Sequence, residues 1–118
     1  MFIRVRSKHG GNSLIVNTKD IKEISLEKFN YDGETIEYIF NVYTDNIYYL
    51  PRVSIDIPEY LKVYKDYELA EIITVLATYA LNKPECGIAI EQEVKKLITY
   101  KGIVTSILGS IGMEKEAQ

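Results

Sequence analysis

The sequence has few of the residues that build disulfides, metal centres or nucleophilic catalytic pairs. It contains one cysteine, Cys86, and one histidine, His9. A single cysteine forms no internal disulfide and supplies no multi-cysteine zinc site, and a single histidine excludes histidine-based metal clusters. We therefore expect no cofactor. Because the chain has no disulfide framework, we also expect a reducing, cytoplasmic setting.

The sequence also lacks a long hydrophobic run and an excess of basic residues. No apolar stretch approaches the roughly 18 to 20 residues that cross a bilayer, and the opening MFIRVRS alternates in character instead of forming a signal peptide. We therefore expect no membrane association. The net charge of −3 and the pI near 5.2 oppose non-specific attraction to nucleic acid.

The composition is typical of a folded protein. Hydrophobic residues make up 47% of the 118 residues and charged residues 26%, which favours one domain spanning the whole chain, 1–118. Isoleucine, lysine, tyrosine and asparagine are abundant, and all four have A/T-rich codons. The composition therefore suggests a low-GC bacterium or one of its phages.

The first half of the chain alternates polar and apolar residues with the period of a β-strand. Glycines in KHGGN and the Asp-Gly pair in NYDG supply the reversals that hairpins need. Residues 2–57 therefore predict an antiparallel β-meander of four to five strands. The predicted strands are 2–7, 13–17, 24–29, 35–44 and a short one between Pro51 and Pro58.

The second half of the chain changes to a period of three and four, which is typical of amphipathic helices. Residues 59–112 predict two to three helices, with Gly102 ending one of them and a frayed tail at 113–118. The last helix is expected to present Ile103, Ile107, Leu108 and Ile111 on one side. Strands followed by helices indicate an α+β fold, with the helices packed on one face of the sheet.

The stretch NVYTDNIYYLPRV, residues 41–53, raises the question of where its three tyrosines lie. A two-residue turn at Asp45 and Asn46 would place Tyr43 opposite Tyr48. One face of the hairpin would then be core, formed by Ile36, Tyr38, Phe40, Val42, Ile47 and Tyr49. The other face would carry a mixed apolar cluster, which we interpret as a protein interface: Ile39, Tyr43, Tyr48 and Leu50. The alternative is that a helix of the same chain covers this cluster.

Other polar residues give weaker indications of chemistry. His9 lies beside two glycines that lack the spacing of a phosphate-binding loop, so we interpret it as an exposed hairpin histidine. Cys86 has no cationic neighbour in sequence, and we interpret it as a plain loop cysteine. Carboxylates in the predicted hairpin are expected to be solvated: Glu23, Glu27, Glu34 and Glu37.

Two further segments have competing interpretations. EYLKVYKDYE mixes Tyr60, Tyr64 and Tyr67 with Lys62 and Lys65, a composition that could stack on bases and contact phosphates, although neighbouring acidic residues neutralise it. Small residues in SILGSIG would allow close helix approach, either between two copies or within one chain.

These observations favour a small non-catalytic regulator, adaptor or inhibitor whose partner is another protein or a second copy of the same chain. A nucleic-acid-binding module is the alternative, and a small enzyme is less well supported because no catalytic constellation is present.

Overall fold

The computed structural model describes residues 2–82 and 89–115. Within this part of the chain, six strands are followed by three helices, so the predicted α+β order is confirmed. The strands are β1 (Phe2–Ser7), β2 (Ser13–Asn17), β3 (Glu23–Tyr31), β4 (Thr35–Tyr43), β5 (Ile47–Tyr49) and β6 (Val53–Asp56), and the helices are α1 (Asp66–Leu81), α2 (Ile90–Leu97) and α3 (Lys101–Ser110).

All strand pairs are antiparallel, and the strands follow the order β2-β1-β5-β4-β3. Strand β4 is central because it pairs with β3 on one side and with both β5 and β6 on the other. The predicted glycine reversals are confirmed: Gly10, Gly11 and Gly33 have positive φ. In the β3–β4 turn, the Asp32 carboxylate accepts hydrogen bonds from the N–H groups of Glu34 and Thr35.

The helices cover one face of the sheet, which we call the inner face. Alternate residues of β4 are fully or almost fully buried there, namely Ile36, Tyr38, Phe40 and Val42. Helix α1 contributes six buried side chains: Leu69, Ile72, Ile73, Leu76, Ala77 and Ala80. The strand residues that recur every two positions and the helix residues that recur every three or four positions therefore pack together in one core. None of the described helices is long and apolar enough to pass through a membrane.

The C-terminal helices differ from the prediction. Helix α2 ends at Leu97, and Gly102 lies in the first turn of α3 instead of ending a helix. Helix α3 buries Val104 and Leu108, one turn apart. Ile103 and Ile111 stay 42% and 46% exposed, so the side of this helix that carries them does not pack fully into the core.

The predicted frayed tail is wrong for residues 113–115. The Tyr64 hydroxyl donates to the Met113 carbonyl oxygen at 2.9 Å and accepts from the Lys115 N–H at 3.0 Å. The Lys115 Nζ also lies 2.6 Å from Glu68 Oε1, and this contact lowers the pKa of the Glu68 carboxyl. The remaining residues of the predicted tail, 116–118, lie outside the described part of the chain.

Candidate interaction surface

The β4–β5 hairpin decides where the tyrosines lie. Three residues, 44–46, connect the strands instead of the predicted two. The Thr44 N–H donates to the Asn46 carbonyl oxygen at 2.9 Å, and the Asn46 N–H donates to Thr44 Oγ1 at 3.2 Å. Because Thr44 joins the turn, Tyr43 pairs with Ile47 and not with Tyr48. The predicted register is therefore wrong by one residue, and such a slip moves side chains to the opposite face.

The predicted interface cluster is split between two faces. Leu50 is fully buried, and its N–H donates to the Phe40 carbonyl oxygen at 3.0 Å. Tyr48 pairs with Val42 and packs partly buried against the core. Ile39 and Tyr43 lie on the face turned away from the helices, which we call the outer face.

The same slip brings two predicted core residues to the outer face. Ile47 pairs with Tyr43 and is 47% exposed, and Tyr49 pairs with Asn41 and is half-buried. Their assignment to the core was therefore wrong. Pairing of cross-strand neighbours on one face gives the hairpin an outer surface of aromatic and aliphatic side chains.

A bulge between β5 and β6 restores the predicted pattern downstream. Asn41 of β4 pairs with Tyr49, and Tyr38 of β4 pairs with Val53. The two β4 residues are three positions apart, whereas their partners are four positions apart. The extra residue lies within 50–52, where Pro51 has no N–H to donate to a ladder. Because of this bulge, Leu50, Val53 and Ile55 all reach the core.

The open apolar part of the outer face lies toward the N-terminal hairpin. Phe2 is 61% exposed and Ile15 65% exposed, and they alternate with Ile3 and Val16, which pack on the core in the β1–β2 pairing. An open groove of about 780 Å³ is lined by Phe2 and Ile15 together with the β4–β5 turn. This groove places the exposed apolar residues of the first hairpin beside the polar β4–β5 turn, Thr44 to Asn46.

The centre of the outer face is covered by its own side chains. Asn41 is only 7% exposed, and its Nδ2 donates to the Tyr43 hydroxyl at 3.4 Å. Its Oδ1 is buried and has no hydrogen-bond partner among the described residues. The Lys8 Nζ, from the loop after β1, lies 3.0 Å from Glu27 Oε1 of β3. The exposed residues around Asn41, and not Asn41 itself, are therefore accessible to a partner.

The segment predicted to contact nucleic acid, in the alternative interpretation, is mostly structural. The Tyr60 hydroxyl donates to the Ile98 carbonyl oxygen at 2.5 Å, and burial raises the pKa of Tyr60 to about 12. Lys62 Nζ lies 2.9 Å from both Glu34 Oε2 and Glu59 Oε1, and hydrogen bonds to these carboxylates raise its pKa. Tyr64 holds the C-terminal residues, which leaves Tyr67, 67% exposed, as the open ring of this segment.

The other candidates for chemistry take simple positions. His9 is exposed in the β1–β2 loop, as predicted, and Glu23 and Glu37 are exposed on β3 and β4. Cys86 lies outside the described residues. Within 2–82 and 89–115, no group of three or more His, Cys, Asp or Glu side chains is placed to hold a metal ion.

One buried carboxylate, Glu91, was not predicted from the sequence. It is 6% exposed and lines a cavity of about 280 Å³ between β1, Pro51 and the start of α2. In the described part of the chain its Oε2 has no hydrogen-bond partner, and burial raises the pKa of this carboxyl. The sequence contains a signal for this burial. Glu91 lies three positions before Val94 and seven before Ile98, a spacing that places it on the same face of a helix as these buried residues.

Comparison of the chain with protein-family models, with curated proteins and with solved structures gave no match. No function is therefore transferred from a relative.

Proposed function

We propose that the chain is a small, non-catalytic regulator, adaptor or inhibitor that binds another protein through the outer face of its sheet. The observation that carries this proposal is the exposure of Ile47 beside Tyr43, and of Phe2 and Ile15 on the β1–β2 hairpin, all on the side opposite the helices. Large apolar and aromatic side chains gathered on an exposed surface are typical of protein-binding sites, since a partner buries them at low entropic cost.

The charges around this surface indicate the chemistry of the partner. Arg4 lies opposite Ile15, and Arg6 lies opposite Tyr49. Both arginines are exposed. Arginine beside aromatic residues is enriched at interface hot spots, and it favours an acidic rim on the partner. The partner proposed here therefore carries an apolar patch bordered by aspartate or glutamate.

Several polar groups that an enzyme could use are engaged in structural contacts, which supports binding over catalysis. Glu27 is paired with Lys8, and Glu34 with Lys62. We place the protein in the cytoplasm of a low-GC bacterium or one of its phages, and the single cysteine and the A/T-coded composition support this setting.

Affinity capture tests the proposal. Wild type and a Tyr43→Ser/Ile47→Ser variant are immobilised and exposed to nuclease-treated lysate of a low-GC bacterium, and retained proteins are quantified by mass spectrometry. We expect a small set of proteins to be retained at least about tenfold better by wild type, because the variant removes the cross-strand pair of Tyr43 and Ile47 from this surface.

A matched control is Tyr67→Ser/Ile103→Ser, which removes an exposed tyrosine and an exposed isoleucine on the helical side. It should retain the same proteins as wild type. Equal recovery by all three forms contradicts the proposal. Retention of nucleic acid from untreated lysate, falling steeply with salt, would favour the nucleic-acid alternative instead.

A further inference from the structure

Strand β2 is an unprotected edge. It ends the strand order, and within the described chain it pairs with β1 alone. Its residues, SLIVN, include no charge and no proline, and its pairing with β1 has no bulge. Leu14 is 40% exposed on one side of the strand and Ile15 65% exposed on the other. Soluble proteins commonly protect edge strands with charges, prolines or bulges, because a bare edge is a template for another strand.

The hydrogen-bond pattern shows which backbone groups this edge presents. The Ser7 N–H donates to the Asn12 carbonyl oxygen at 2.9 Å, in line with the register of the β1–β2 ladder. Hydrogen-bonded and non-hydrogen-bonded pairs alternate along an antiparallel ladder. Leu14 and Val16 therefore direct their backbone groups toward β1. Residues 13, 15 and 17 direct theirs outward.

We propose that β2 pairs antiparallel with β2 of a second copy of this chain, about a two-fold axis at Ile15. In this register Ile15 lies opposite Ile15 of the second copy, and Ser13 lies opposite Asn17. Each of these is a hydrogen-bonded pair that exchanges two bonds, so every outward N–H and C=O of the strand is used. A shift of the register by two residues leaves one outward residue of each strand unpaired.

The side chains match in the same register. Ile15 packs against its symmetry mate on the outer face, and Leu14 packs against Val16 of the second copy on the inner face. No like charges are opposed, since the strand has none. This self-complementarity selects a second copy over an unrelated strand, whose sequence would have to match on both faces independently.

The dimer is expected to be weak. Pairing of two five-residue strands buries less than the roughly 1,200 Å² of a standard interface, so the dissociation constant should be on the order of micromolar or weaker. This inference does not rest on the proposed function. Ile15 borders both surfaces, but that function is tested at Tyr43 and Ile47 and the edge at Ile15, so either can fail alone.

Sedimentation velocity over a roughly hundredfold range of concentration tests the dimer. We expect wild type to dimerise with increasing concentration. The substitution Ile15→Lys places two like charges at the axis, and it should weaken dimerisation at least about tenfold. Ile103→Lys, at an exposed isoleucine of α3, is the matched control and should leave dimerisation unchanged.

Amide hydrogen exchange of wild type by NMR gives a second, residue-specific test. The amides of Ser13, Ile15 and Asn17 should exchange more slowly as concentration rises, while those of Leu14 and Val16 stay protected throughout. A wild type that is monomeric at every concentration overturns the proposal. So does a dimer that Ile103→Lys disrupts, or one in which the three outward amides keep a constant exchange rate.

Discussion

Strands β2 and β3, at the two ends of the strand order, have different protection. Strand β3 spans nine residues, carries Glu23, Glu27 and Lys28, and shifts register between Leu26 and Lys28. Strand β2 spans five residues and has neither charge nor irregularity. Charges and a bulge prevent another strand from pairing with β3. The comparison therefore indicates that one edge of this sheet is closed to pairing and the other is open.

The support beneath the two edges differs as well. Helix α1 packs on β3, and Ile24 of that strand is 8% exposed. Leu14, which also points to the inner side, is 40% exposed at the opposite edge. The β3 side is thus integrated into the core, whereas the β2 side leaves apolar surface that no described part of the chain covers.

The largest expected effect is the difference in stability loss between replacing Ile24 and replacing Leu14 with alanine. Ile24→Ala should lower the free energy of unfolding by about 2 to 4 kcal/mol, because it leaves a cavity in a packed core. Leu14→Ala should lower it by less than about 1 kcal/mol, because much of the side chain already contacts water. Urea unfolding at a low protein concentration measures both. Equal losses would mean that the β2 edge is as well packed as the β3 edge.

A smaller effect is expected at the buried carboxylate beneath β1. Since burial raises the pKa of Glu91 above 4.5 in the folded state, its stability contribution falls as pH rises from about 4.5 through the folded pKa. At pH near 7, Glu91→Gln should therefore increase the free energy of unfolding by about 1 kcal/mol.

Below the unfolded pKa the advantage of Glu91→Gln should disappear, because the wild-type carboxyl is then protonated in both states. Glu71→Gln, at an exposed position on α1, is the control and should show little change at either pH. If Glu91→Gln destabilises the protein near neutral pH, the charged carboxylate must have a stabilising partner. The region beneath β1 would then contribute more to stability than the exposed β2 edge indicates.

The smallest effect concerns the ion pair that joins the two sides of the sheet. Lys8 and Glu27 are 37% and 32% exposed, so Lys8→Met should cost about 0.5 kcal/mol or less. The loss should vanish in about 1 M salt because the charges are screened. A double-mutant cycle with Glu27→Gln isolates the pair energy. A coupling well above roughly 1 kcal/mol would show that the β1–β2 hairpin is held more firmly than an exposed pair allows.

Local patterns predicted most of the fold. The bounds of β1 and β2 follow from alternation and the Gly-Gly reversal, and the order of strands and helices follows from the change of period near Pro58. The α2–α3 boundary was predicted at Gly102, whereas α2 ends at Leu97 and α3 begins at Lys101, because the helical period continues across the boundary and propensity alone does not fix where a short helix ends.

The candidate surface was predicted only in part. Ile39 and Tyr43 lie on the outer face, whereas Tyr48 and Leu50 do not. The difference between a two-residue and a three-residue turn rests on contacts of one residue, Thr44, with Asn46, which composition does not reveal. Phe2 and Ile15 were absent from the prediction because strand order, and not alternation, determines which strands lie side by side.

The bulge at residues 50–52 has a consequence for how this chain tolerates changes in length. It accommodates the single extra residue between Leu50 and Val53, and both side chains lie in the core. Deleting one residue there would place Leu50 and Val53 two positions apart, and a regular strand directs such residues to the same face, so the inward pattern would survive. The β1–β2 loop, 8–12, is under a weak constraint for a different reason, because the strand after it has no fully buried side chain. Single-residue deletions at the bulge and length changes in that loop should therefore both be tolerated over evolutionary time.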